Sequence, residues 1–140
     1  MLFRSENMSG FEGVLDGFRT YYMASGSPTI TFSKNGLGVS KAAVAKLENS
    51  PFAKVMFDYH GKRLAIVKCD ESEEGSTRLA RGKKEGARWN SSDFVETIKQ
   101  LTGWKVDSGE RYTVIGEYIE HNNQPGLIFD LTKATSTTTD

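Results

Sequence analysis

The segment TITFSKNGLGVSKAAVAKL, Thr29 to Leu47, decides how the rest of the chain is read. Thr29, Ile30, Thr31 and Phe32 alternate polar and apolar, the period-two signature of a strand with one buried face. Asn35-Gly36 follows, a dipeptide that tolerates the positive φ angles of a tight hairpin turn. Leu37–Val39 is then a second short strand. Ser40 is placed to cap a helix, its hydroxyl accepting from free N–H groups in the first turn. That helix runs through Lys41–Glu48 with Ala43, Val44 and Leu47 on one face, and Asn49-Ser50-Pro51 ends it.

Working outward, Lys54–Tyr59 and Arg63–Cys69 read as a hairpin around His60-Gly61. Asp70 to Ala87 is polar, glycine-bearing and without period, a loop of a length usually either functional or disordered. Arg88-Trp89-Asn90 forms a brief strand, Ser91 to Asp93 supply helix caps, and Asp93 with Glu96 fits a capping-box-like spacing. Phe94, Val95, Ile98 and Leu101 make the apolar face of a second helix closed by Gly103. Arg111–Ile119 is a long strand, Glu120–Gly126 a turn, and Leu127–Leu131 the returning strand.

Towards the N-terminus, Phe11, Val14, Leu15, Phe18 and Tyr22 recur near helical spacing, although Gly13 and Gly17 interrupt them. A strand through Phe18–Met23 is the alternative, since Thr20, Tyr21 and Tyr22 favour sheet. The order strand–helix–hairpin, twice over, predicts an α+β fold in a small single domain. Its halves, 29–69 and 87–131, are joined by the polar loop 70–86 and share one antiparallel sheet, with two short helices on the same face. Residues 1–28 form a packed N-terminal helical segment and 132–140 a disordered tail.

A chain of 140 residues suits one domain. Eighteen basic residues balance eighteen acidic ones, which argues against coating nucleic acid by bulk charge while leaving room for a local basic patch. The single cysteine, Cys69, has no disulfide or CxxC partner. It lacks an adjacent base, although His60 could approach it across a hairpin. The N-terminus shows no signal peptide and no run is long enough to span a membrane, so the expected setting is the cytoplasm.

Catalytic constellations are hard to assemble. His60 and His121 both fall in hairpin turns and lack metal-ligand spacing, so no metal or cofactor is expected. Asp70, Glu71, Glu73 and Glu74 lack the glycine position and terminal acid of a calcium loop. Asn35–Lys41 is glycine-bearing but lacks the GxxxxGK[ST] order; Gly36, Gly38, Ser40 and Lys41 remain a candidate anion site at a strand-to-helix turn. The stronger lead is a basic cluster, Arg78, Arg81, Lys83, Lys84 and Arg88, with Trp89 beside it. Such a group can hold phosphates with the indole as a stacking surface, or dock on an acidic protein.

From Ile30 to Phe94 the chain resembles a broad group of small uncharacterised proteins of bacterial, archaeal and phage or mobile-element genomes. The resemblance rests on ITFSKNG (30–36), SKAAVAKL (40–47), VMFD (55–58) with LAIV (64–67), EGSTRL (74–79) and SSDF (91–94). Those motifs are structural and imply no activity. The resemblance implies an accessory protein, including one that blocks host defence. The expected function is therefore a non-enzymatic binding protein that interferes with a host process, either by binding a host protein or by sequestering a nucleotide. A nucleic-acid-binding regulator is the alternative and a structural or assembly protein the second alternative. A homo-oligomer is an open option.

Overall fold

A computed structural model describes residues 13–18, 26–80 and 86–138. Strands β1 (Thr29–Ser33) and β2 (Gly36–Val39) pair antiparallel, with Ile30 opposite Val39 and Phe32 opposite Leu37. Those four side chains are buried, which puts Thr29, Thr31 and Gly38 on the other face. Gly36 has φ +113°, and a Cβ there would lie 2.5 Å from the Trp89 carbonyl oxygen; turn geometry and the neighbouring strand both require glycine.

Helix α1 (Lys41–Lys46) starts where expected. Ser40 Oγ accepts from the Ala43 N–H at 3.1 Å and from the Thr29 N–H at 3.0 Å, tying the helix start to β1. It lasts only six residues, because Glu48 and Asn49 turn to φ +63° and +52°. The remaining elements are β3 (Phe52–Asp58), β4 (Arg63–Lys68), β5 (Ser76–Arg78), β6 (Ala87–Trp89), α2 (Ser92–Thr102), β7 (Glu110–His121), β8 (Gln124–Asp130) and β9 (Thr135–Thr138).

These elements overturn the expected α+β arrangement of two strand–helix–hairpin units. The nine strands of the described residues form one antiparallel sheet in the order β5-β3-β4-β8-β7-β1-β2-β6, with β9 also paired to β7. Of the described residues 44% are strand and 20% helical, and the sheet curls into a half-barrel. Among the described residues only α2 extends beyond two turns.

The two halves do not stand as separate units, because β4 of the first pairs with β8 of the second while β1 of the first pairs with β7. Tyr112–Ile115 of β7 pair with β1, whereas Gly116–His121 pair with β8 and Glu110–Thr113 with β9. At the changeover, Gly116 leaves room for the buried Phe129 ring, since a Cβ there would sit 2.6 Å from it. Two segments expected to be irregular are strands: β5 lies within the 70–86 loop and β9 within the tail. β5 is only three residues, half-buried at Ser76 and Thr77, and β9 is exposed at residues 135–137, so neither shows the apolar alternation that marks a strand in sequence. In the N-terminal segment, residues 13–17 form turns, and the expected helix otherwise lies outside the described residues.

Phe32, Ile30 and Leu37 from one part of the sheet meet Leu64, Ile66, Leu127 and Phe129 from the other, with Val44 and Leu47 of the α1 region among them. Helix α2 adds Ile98, and its Phe94 packs against Phe57 and edge-on to Trp89. The end strands of the sheet, β5 and β6, are brought together by one side chain. Trp89 Nε1 donates to the Arg78 carbonyl oxygen at 2.9 Å.

Candidate ligand-binding face

Strand register assembles the site. Arg88 of β6 lies opposite Gly38 of β2, Gly38 opposite Thr31 of β1, and Thr31 opposite Thr113 of β7. The four residues form one row on the face turned away from the core. Arg111, two residues from Thr113 on β7, stands on the same face. A depression of about 600 Å³ lies over this row, lined by Thr29, Thr31, Gly38, Ser40, Arg88 and Arg111 among others. None of its described lining residues carries a carboxylate.

Glycine at position 38 shapes the floor. A Cβ there would sit 3.6 Å from Arg88 Nη2 and 3.9 Å from its Cζ, so the guanidinium lies across β2 in space a side chain would occupy. Thr31 and Thr113 share a hydrogen bond of 3.2 Å between their hydroxyl oxygens. Only one of their two protons is used there, and the other is left to donate. A second depression, of about 330 Å³, adjoins the first through Arg88 and Arg111 and adds Ser33, Lys34 and Asn35. Glu110 also lines this second space, and its carboxylate accepts from the Tyr112 hydroxyl, which raises the tyrosine above its ordinary pKa of 10.0.

Arg88 and Arg111 are exposed and make no ion pair among the described residues, whereas Lys54, Arg63 and Lys68 elsewhere on the sheet and Lys99 of α2 do. Lys54 pairs with Glu73 at 2.6 Å, Arg63 with Asp58 at 2.8 Å, Lys68 with Glu48 at 2.7 Å, and Lys99 with Asp107 at 2.9 Å. Two forked donors facing one carboxylate-free depression are suited to an anion, above all a phosphate that accepts bidentate hydrogen bonds.

The structure divides the basic cluster read from sequence. Arg88 and Trp89 are neighbours on β6 and therefore point to opposite faces; Arg88 joins the depression, while Trp89 turns inward. Arg78 sits on β5 with its guanidinium 4.9 Å from the Phe52 ring centroid. Arg81, Lys83 and Lys84 lie outside the described residues. Of the turn residues, Gly38 floors the depression and Ser40 lines it, but the Ser40 hydroxyl is engaged in capping. Gly36 serves the turn, and Lys41 is exposed at the start of a helix too short to present a dipole of its own.

Sequence reading missed Arg111, Thr31 and Thr113. Their signal was alternation, in that all occupy the outward positions of strands whose inward positions are Ile30, Phe32 and Val114. The approach of His60 to Cys69 does not form. His60 is in the turn before β4 and Cys69 follows its far end, roughly 20 Å along the strand. Burial raises the Cys69 thiol above its ordinary 9.0. No helix among the described residues is long and apolar enough to cross a membrane. Comparison with protein-family models, with curated proteins and with solved structures found no match.

Proposed function

We propose that the protein binds a small phosphate-bearing ligand, of the nucleotide class, on the face between Arg88 and Arg111. The observation that carries this reading is the pair of unneutralised guanidinium groups over a depression whose described lining holds no carboxylate. Its volume is that of a small-molecule pocket, usually a few hundred to about 1,000 Å³. Neutral net charge favours such a local site over a surface that wraps a long polyanion.

The role proposed is binding without turnover. Holding a nucleotide out of circulation is how it would interfere with a host process, the setting implied by the resemblance to mobile-element proteins. Native mass spectrometry of protein purified from its host, together with thermal shift against a nucleotide panel, tests the reading. A ligand at 100 times its Kd adds about 2.7 kcal/mol of stability. For this chain length that corresponds to a melting shift of roughly 8–14 °C. Arg88→Gln and Arg111→Gln should each remove most of the shift while leaving the unliganded melting point in place. No shift with any nucleotide, and capture of an acidic host protein instead, would overturn it.

A further inference from the structure

We infer that the ligand's anchoring group is a pair of directly linked phosphates, a diphosphate, laid across Thr31 with one phosphoryl group on Arg88 and the other on Arg111. The inference rests on the reading above and deepens it. The two arginines approach from opposite sides. Arg88 reaches inward from β6 and its guanidinium lies over Gly38, whereas Arg111 rises from β7, two strands beyond Gly38 with β1 between. Strand spacing puts the backbones of β2 and β7 about 10 Å apart, and Arg111 stands two residues, about 7 Å, along β7 from the Thr31–Thr113 row, while both side chains line the same depression.

A single phosphate seated on either guanidinium leaves the other without an anion. Two phosphates joined through one oxygen turn their free oxygens to both sides at once. Each can then accept a forked pair of N–H bonds. Beneath the bridge lies Thr31, whose hydroxyl shares one hydrogen bond with that of Thr113 and leaves one proton between them still to donate. The aromatic residues near these strands, Trp89, Trp104 and Tyr112, pack against the core instead of this face. Recognition here is therefore by phosphate and not by base stacking, unlike a platform for single-stranded nucleic acid.

Calorimetric titration with pyrophosphate, orthophosphate and a ten-residue oligothymidylate tests this. Pyrophosphate should bind at least about tenfold tighter than orthophosphate, the gain expected from a second charge-assisted contact. Arg88→Gln and Arg111→Gln should each bring pyrophosphate down to the orthophosphate level. Arg88→Lys, which keeps the charge but loses the fork, should also weaken pyrophosphate, and both exposed positions leave folding intact by circular dichroism. Equal affinity for the two phosphates would overturn the diphosphate assignment while leaving a phosphate site standing. Tight oligothymidylate binding that pyrophosphate does not displace would overturn it in favour of an extended backbone. Failure of every phosphate and nucleotide to bind would remove the parent reading as well.

Discussion

Gly38 offers a substitution with opposite effects on folding and on binding. Its backbone lies in a paired strand, and a Cβ there meets only Arg88 Nη2 at 3.6 Å, the Thr31 carbonyl oxygen at 3.8 Å and Arg88 Cζ at 3.9 Å, all ordinary contacts. Gly38→Ala therefore adds no clash. It removes glycine's extra freedom from the unfolded chain, worth about 0.4–1 kcal/mol where the native conformation accepts alanine. At roughly 3–5 °C per kcal/mol for a chain this size, the melting temperature should rise by about 1–5 °C. Gly38→Val should be at least as well tolerated in a strand, but its branches need the space over which the guanidinium lies. Scanning calorimetry and titration with pyrophosphate read the two effects separately. Both variants should melt at or above the parent temperature, with affinity little changed in Ala and reduced about tenfold or more in Val. A lower melting point for Gly38→Ala would refute the packing argument. Full affinity in Gly38→Val would refute the claim that the ligand uses Arg88 where it now lies.

Gly36→Ala should behave in the opposite way, because φ +113° and the Trp89 carbonyl oxygen 2.5 Å from the added Cβ cannot both be relieved. A loss of about 1–3 kcal/mol is expected in urea unfolding, and a neutral result would mean the turn relaxes freely. Asp58 accepts from the Gly61 N–H at 3.0 Å and from Arg63 at 2.8 Å, which together hold its carboxyl below the ordinary 3.8. A depressed folded-state pKa stabilises above the unfolded value and is lost as pH falls through the folded one. The small stability advantage over Asp58→Asn should thus be present at pH 7, begin to fall near pH 3.8 and vanish only below the lower folded-state pKa; a gap that widens in acid would contradict the assignment. Trp89→Phe keeps the ring against Phe94 but removes the bond to the Arg78 carbonyl, so amides of β6 should exchange faster while those of β7 and β8 hold their protection. Unchanged exchange in β6 would show that the end strands do not need this tie.

Much of the fold was legible where local chemistry acts alone. The Asn35-Gly36 turn, the Ser40 cap, the hairpin around His60-Gly61 and the second helix ending at Gly103 all depend on neighbours within a few residues. What was not legible is how the pieces share a sheet. β7 reads in sequence as one long strand, and nothing within it announces that Tyr112–Ile115 face β1 while the next six residues pair with β8. The mistaken α+β reading has another source: α1 stops after six residues and β5 and β9 add strands, so sheet outweighs helix and only α2 is a helix of any length among the described residues. β5 and β9 were hidden for a different reason. Short edge strands built from Ser and Thr have no apolar residues with which to write an alternating pattern.

The site has the same history. Sequence proximity grouped Arg88 with Trp89 and Arg78, but alternation along β6 sends the indole to the core, and β5 holds Arg78 against Phe52. Register replaces those neighbours with Gly38, Thr31, Thr113 and Arg111, drawn from three other strands. This also resolves how a chain with equal numbers of acidic and basic residues can present a cationic face. Four of the acids are paired with other cations: Asp58 with Arg63 at a hairpin, Glu48 with Lys68 beneath α1, Glu73 with Lys54 beside β5, and Asp107 with Lys99 of α2. Arg88 and Arg111 are separated by hydroxyls and a glycine instead, and the described lining of the first depression brings them no counter-charge. An anion in that hollow would meet both guanidinium groups at once. The charge balance of the whole chain therefore says little about this face; the strand register sets what stands between the two arginines.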